Sequence, residues 1–130
     1  MINVSAKVNR PKAVVWKYFI KPENWIHWYG GTQEVGIASV EPGWQEDGRI
    51  EWSTAGDSPI YKFVDGEELE ISTGWTEVTW RFKPDGDEAT LVELSETDPR
   101  MASYPDGGAA AKANWQVAMR KFKECVEAGD

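Results

Sequence analysis

The stretch ENWIHWYGG, Glu23 to Gly31, holds the only histidine of the chain, His27, between two tryptophans and a tyrosine. An imidazole can serve as a general acid or base near neutral pH, or as a metal ligand. A zinc-type site needs two or three more donors. The sequence supplies no second histidine and a single cysteine, Cys125, so such a site has no partners to recruit. Helical geometry argues the same way. At about 100° per residue, Trp25, Trp28 and Tyr29 share one face and His27 points about 200° away from Trp25. The sequence therefore places His27 in water and the aromatics inside, with no catalytic residue and no metal site expected.

Other chemistries find little to use. There is no G-x-S-x-G elbow, no Walker loop and no G-x-G-x-x-G segment. One cysteine cannot form an intrachain disulfide, and Cys125 falls on an apolar helical stripe that predicts a buried structural thiol. The carboxylate pairs Glu67/Glu68 and Asp85/Asp87 sit in turn sequences and read as solvated. Glu51, Glu77 and Tyr61 remain as acid–base candidates, each dependent on which face of its strand points inward.

The stronger signal is apolar. Eight tryptophans stand in 130 residues, each bringing a large apolar ring and one N–H that wants an acceptor. Such rings read either as ordinary core or as the lining of an apolar cavity, and Trp28, Tyr29, Trp52, Trp75, Trp80, Trp115, Met119 and Phe122 are the candidates for a ligand-binding wall. A useful cavity of this kind has a volume of roughly 300 Å³ or more.

The elements that must position these residues follow from periodicity. INVSAKV alternates strictly and reads as a half-buried strand. In NRPKAVVWKYFI, Asn9 is the expected cap of a helix with Pro11 in its first turn and Val15 and Phe19 on its buried face. Pro22 begins a short second helix that Gly30-Gly31 ends. Six strand signals follow between Thr32 and Thr97, with a strong Asp-Gly turn at PDGDE. A loop, DPRMASYPDGG, leads to a terminal helix whose Ala111, Trp115, Ala118, Met119, Phe122, Cys125 and Val126 form one apolar stripe. The order β-α-α-β-β-β-β-β-β-α predicts a single α+β domain over residues 1–130, a curved antiparallel sheet wrapped around the long C-terminal helix.

Charge narrows the partners. The net charge of −8 argues against nucleic acid. It is unevenly spread: residues 1–30 carry five Lys/Arg against one Glu, about +4. No run reaches the ~18 apolar residues of a membrane span, and MINVSAKVNRP has no apolar core of a signal peptide. The expected setting is the cytoplasm, as monomer or homodimer, with no cofactor and no integral membrane contact.

The segment PKAVVWKYFIKPENWIHWYGG resembles the helical entry of the START/SRPBCC superfamily, the birch-pollen-allergen-like helix-grip fold. Its Pro11, Val15-Trp16, Pro22-Glu23 and Trp28 are similar to the pattern of the branch named for homologues of the heat-shock-protein-90 ATPase activator. WQEDGRIEW resembles that branch's second hairpin, and LEISTGWTEVTWRFKPDGDEATLVELSE its last three strands. ANWQVAMRKFKECVE resembles the terminal helix, with Met119 and Phe122 where leucines are usual. The resemblance implies a cavity between sheet and terminal helix that takes a lipid, polyketide or other apolar small molecule. It also implies two alternatives: an enzyme of the cyclase/aromatase or lyase type using the same cavity, and a co-chaperone or regulatory interaction module.

Overall fold

Strict alternation gives β1 (Ile2–Val8) two unlike faces, with Ile2 and Val8 buried and Asn3, Ser5 and Lys7 in water. The computed structural model describes residues 1–129. After β1 come α1 (Lys12–Phe19), a 3-10 helix (Pro22–His27), β2 (Ile37–Glu41), β3 (Arg49–Trp52) and β4 (Asp57–Val64). β5 (Glu68–Ser72), β6 (Glu77–Pro84), β7 (Thr90–Thr97), a short 3-10 turn (Met101–Ser103) and α2 (Ala109–Ala128) complete the described chain. The seven strands form one antiparallel sheet in the order β1-β7-β6-β5-β4-β3-β2. β1 pairs with β7 from Ile2↔Glu96 to Val8↔Thr90, so the first strand closes one edge of the sheet and β2 forms the other. The α+β order read from the sequence is the order of the structure.

Two local details differ from expectation. Asn9 does not cap α1. The helix starts at Lys12, with Pro11 at the cap position in extended conformation and no side-chain cap. Proline fixes its own φ and forces the residue before it to be extended, which delays the helix past Asn9. The Asn9 N–H instead donates to a Glu127 carboxylate oxygen at 2.7 Å, tying the β1–α1 joint to the end of α2. The second helix is a 3-10 helix rather than an α-helix, and in that form i and i+3 side chains eclipse. That places Trp25 and Trp28 on one side, with both rings almost wholly buried.

α2 lies along β1 and also meets α1 and the 3-10 helix. Its buried positions are Ala118, Met119, Phe122 and Val126; Ala111, Trp115 and Cys125, expected on the same stripe, are only half-buried, so Cys125 is not the buried thiol that its spacing predicts. Its first turn is held by the Asp106 carboxylate, which accepts the Gly108 N–H at 2.9 Å and the Ala110 N–H at 3.0 Å. These bonds, Ala110's first, hold the Asp106 carboxyl below the usual carboxylate range.

The core is centred on Phe19, 1% exposed. Its ring lies 4.7 Å from Phe82, 5.1 Å from Trp25, 5.7 Å from Trp80, 5.9 Å from Trp28 and 6.1 Å from Phe122. Truncating a buried phenylalanine to alanine costs about 3–5 kcal/mol, against ~5–15 kcal/mol for a whole domain. Phe19→Ala is therefore expected to lower the urea midpoint by a large fraction of its value; a midpoint within error of the parent would show that another residue holds the elements together.

Candidate functional site

Lys21, extended as the residue before a proline must be, turns the chain into the 3-10 helix. Trp25 is then locked in place by its Nε1–H, which donates to the Phe19 carbonyl at 2.6 Å. Trp28 and Tyr29 follow on the same side, whereas Ile26 and His27 face water. Tyr29 stacks on Trp52 at 4.7 Å with an interplanar angle of 7° and meets Trp115 edge to face at 5.8 Å. Trp28 contacts Phe122 edge to face at 4.9 Å, and Trp80 meets Trp115 at 6.1 Å. Met119 completes the wall beside Trp28, Trp80 and Phe122. Seven of the eight expected wall residues are thus in one place, between the sheet and α2.

The eighth is not. Trp75 is 68% exposed. It lies in the β5–β6 turn, beyond the last residue of β5, where strand alternation no longer dictates direction. The Arg100 guanidinium sits 5.0 Å from its ring centre. Arg100 is in turn held by the Asp98 carboxylate, which also accepts the Tyr104 hydroxyl at 2.6 Å. The Arg100 bonds first, and then the Tyr104 bond, hold the Asp98 carboxyl down to about 2.

The acid–base candidates also fall outside the aromatic cluster: Glu51, Glu77 and Tyr61 are exposed. The carboxylate that does reach the cluster is Glu96, which accepts the Trp115 indole N–H at 3.0 Å. Sequence reasoning missed it because β7 shows Glu96 on a mixed strand end with no pattern to set it apart. Burial, and secondarily the Glu96 charge, push the Tyr29 phenol well above its ordinary range, so it stays protonated. Among the described residues, no group of three or more His, Cys, Asp or Glu could hold a metal, and no helix is long and apolar enough to cross a membrane.

The expected open cavity is absent from the aromatic interior. The space bordered by Phe19, Trp28, Trp80, Val92, Met119 and Phe122 is about 120 Å³ of interatomic gap that admits no water-sized sphere. The physical reason is the aromatic content itself. Rings on the 3-10 helix, the sheet and α2 reach across and meet one another instead of leaving a gap. Phe19 and Val92 border this space and were not among the expected wall residues. Their inward parity was readable, but nothing in sequence marks which core residues meet at a void. Larger hollows lie on the surface, such as one of about 350 Å³ between α1 and the end of α2, lined by Val14, Lys17, Tyr18 and Val126.

The loop that follows the 3-10 helix is latched to α2. Asn114 accepts the Thr32 N–H at 3.0 Å and donates to the Gly30 carbonyl at 3.2 Å, and Lys121 Nζ donates to the Gly31 carbonyl at 2.5 Å. Gly31 has φ +66°, and a Cβ there would lie 2.5 Å from the Asn114 side chain.

No family model matches the chain, and no curated protein matches it. Solved structures do. A conserved protein from Enterococcus faecalis, EF2215, superposes with a TM-score of 0.75 at 16% identity over 98% of this chain and 71% of that one. An AHSA1-like protein from Aeromonas hydrophila gives 0.65 at 14%, over 98% and 93%. DynU16, of the dynemicin biosynthetic locus, gives 0.70 at 17% over 99% of this chain, which spans 48% of that one. This chain has the helix-grip fold. Within that helix-grip fold the aromatic cluster occupies the space between the sheet and the gripping helix.

Gly31→Ala should lower stability by more than 1 kcal/mol, because the left-handed backbone and the Asn114 contact both oppose a Cβ. A thermal midpoint equal to the parent's would show that the latch is loose. His27→Ala should leave the midpoint within ~0.5 kcal/mol of the parent, as an exposed residue without partners does. For Asp98 the folded pKa lies below the ordinary one, so its contribution is present above about pH 4 and is lost as pH falls through about 2. Carboxyl ¹³C titration should place its midpoint there, and a midpoint near 4 would contradict the Arg100–Tyr104 clamp.

Proposed function

We propose that the chain binds an apolar or amphipathic small molecule between the sheet and α2, at a site that is closed until the ligand enters. One observation carries this reading. The small void of the core lies where the helix-grip fold sets its sheet against its helix, and Phe19, Trp28, Trp80, Val92, Met119 and Phe122 border it. A preformed pocket is not what supports it. Entry instead requires side chains to move, and the adaptable member of the wall is Met119, an unbranched thioether with several rotatable bonds. Polyketides and lipids are the compound classes that the resemblance suggests. The exposed positions of Glu51, Glu77 and Tyr61 remove the acid–base groups on which a cyclase or lyase reading relied.

A protein-interaction module is a second reading, favoured by Trp75, a large apolar ring held in solvent by Arg100. Capture by the heat-shock-protein-90 ATPase, lost on Trp75→Ala, would support it.

The test of the first reading is titration with 1,6-diphenyl-1,3,5-hexatriene, a hydrocarbon with no hydrogen-bond donor. Tryptophan fluorescence should quench saturably at one probe per chain. Met119→Ala, which enlarges the void, should bind several-fold more tightly, although it is less stable by ~2–5 kcal/mol. Quenching that never saturates and is indifferent to Met119→Ala would overturn the reading.

A further inference from the structure

The indole N–H groups of this chain divide unevenly. Five have acceptors: Trp16 on Asp65, Trp25 on the Phe19 carbonyl, Trp44 on the Ile20 carbonyl, Trp52 on Ser58 and Trp115 on Glu96. Trp75 stands in solvent. Trp28 and Trp80, at 1% and 0% exposed, bury Nε1 atoms that meet no acceptor among the described residues. Leaving a buried donor unpaired is unfavourable enough to be rare.

The two orphans are not scattered. Both rings border the same void, and their centres are 6.3 Å apart in an edge-to-face pair. A water cannot satisfy them there, because the space admits none. Their edge-to-face neighbours, Phe122 for Trp28 and Trp115 for Trp80, are aromatic rings, which accept weakly at best.

We infer that this pair is a ligand-recognition element selecting a neutral molecule that carries a hydrogen-bond acceptor but no donor, such as a ketone or quinone. The inference rests on the binding site proposed above and adds its chemical rule. An indole N–H only donates. The other four bordering residues, Phe19, Val92, Met119 and Phe122, offer no acceptor stronger than a thioether. An alcohol or amine entering here would satisfy an indole but bury its own N–H or O–H unpaired. A carboxylate would bury a charge with no cation on the wall, at a far larger cost. A hydrocarbon would leave both indoles as they are. A carbonyl oxygen has two lone pairs and no hydrogen to orphan, so it alone among these groups removes a defect without creating one.

The test uses three ligands of matched shape: ethylbenzene, 1-phenylethanol and acetophenone. Each is titrated by tryptophan fluorescence and by ¹H–¹⁵N correlation of the indole signals, with Trp28 and Trp80 assigned on the parent chain from through-space contacts of each indole proton. Acetophenone is expected to bind about 3- to 10-fold more tightly than ethylbenzene, with 1-phenylethanol below acetophenone. The Trp28 or Trp80 indole proton should move downfield on acetophenone and stay in place on ethylbenzene. Trp28→Phe and Trp80→Phe keep a ring and remove the N–H, so the doubly substituted chain should bind acetophenone and ethylbenzene alike. Equal binding of all three ligands by the parent, with those two indole protons unmoved, would overturn the acceptor rule while leaving the site in place. Binding by none of them, together with non-saturating quenching by 1,6-diphenyl-1,3,5-hexatriene, would overturn both. The indole shifts are read on the parent chain, so the outcome does not depend on the variants folding.

Discussion

The contacts of the Phe19 ring are the constraint on which the other elements depend. Phe19 ends α1, yet its neighbours belong to the 3-10 helix through Trp25 and Trp28, to the sheet through Trp80 and Phe82, and to α2 through Phe122. No backbone ladder joins α1 to the sheet, so this set of ring contacts determines where the helical entry sits across it. The same residue also supplies a carbonyl to Trp25. One side chain and one backbone oxygen thus fix both the position of the 3-10 helix and the direction in which its aromatics point.

A core built from indoles carries a polar obligation that a core of leucine does not. Each Trp must find an acceptor without opening the core to water, and the acceptors come from different places: helix-end carbonyls, a strand serine, a turn aspartate and Glu96. Helix ends are good donors of this service because their last carbonyls lack intrahelical partners. Both Phe19 and Ile20 lie at the end of α1, and both carbonyls are taken by indoles. Trp28 and Trp80 reach none of these, and the molecule tolerates the defect at the junction of its two layers.

Much of the architecture was legible in the sequence because it depends on period alone. β1 and β6 alternate, α2 repeats its apolar residues every three or four positions, and each became the element that its period implied. The face of the 3-10 helix was legible too, since Trp25 and Trp28 fall together under either helical geometry. Period says which way a side chain points but not how far the opposite wall stands. Seven of the eight expected wall residues do point inward, and the width of the gap between them is set by how far rings from three elements reach. Trp75 failed for a related reason. Its aromatic type suggested the interior, but it lies in a turn, where direction is set by the turn and by the Arg100 clamp.

The pairing of β1 with β7 also has a consequence in time. Ile2 finds its partner at Glu96, so a chain emerging from the ribosome makes its first strand early and cannot seat it until about three-quarters of the sequence has followed. Contacts of such long separation are slow to form. Through that interval Trp16, Phe19, Trp25 and Trp28 are already made while the strands that cover them are not. The segment richest in rings is therefore the one that waits longest uncovered, and the nascent chain, rather than the finished one, is where this protein most depends on the vigilance of the cell's folding machinery.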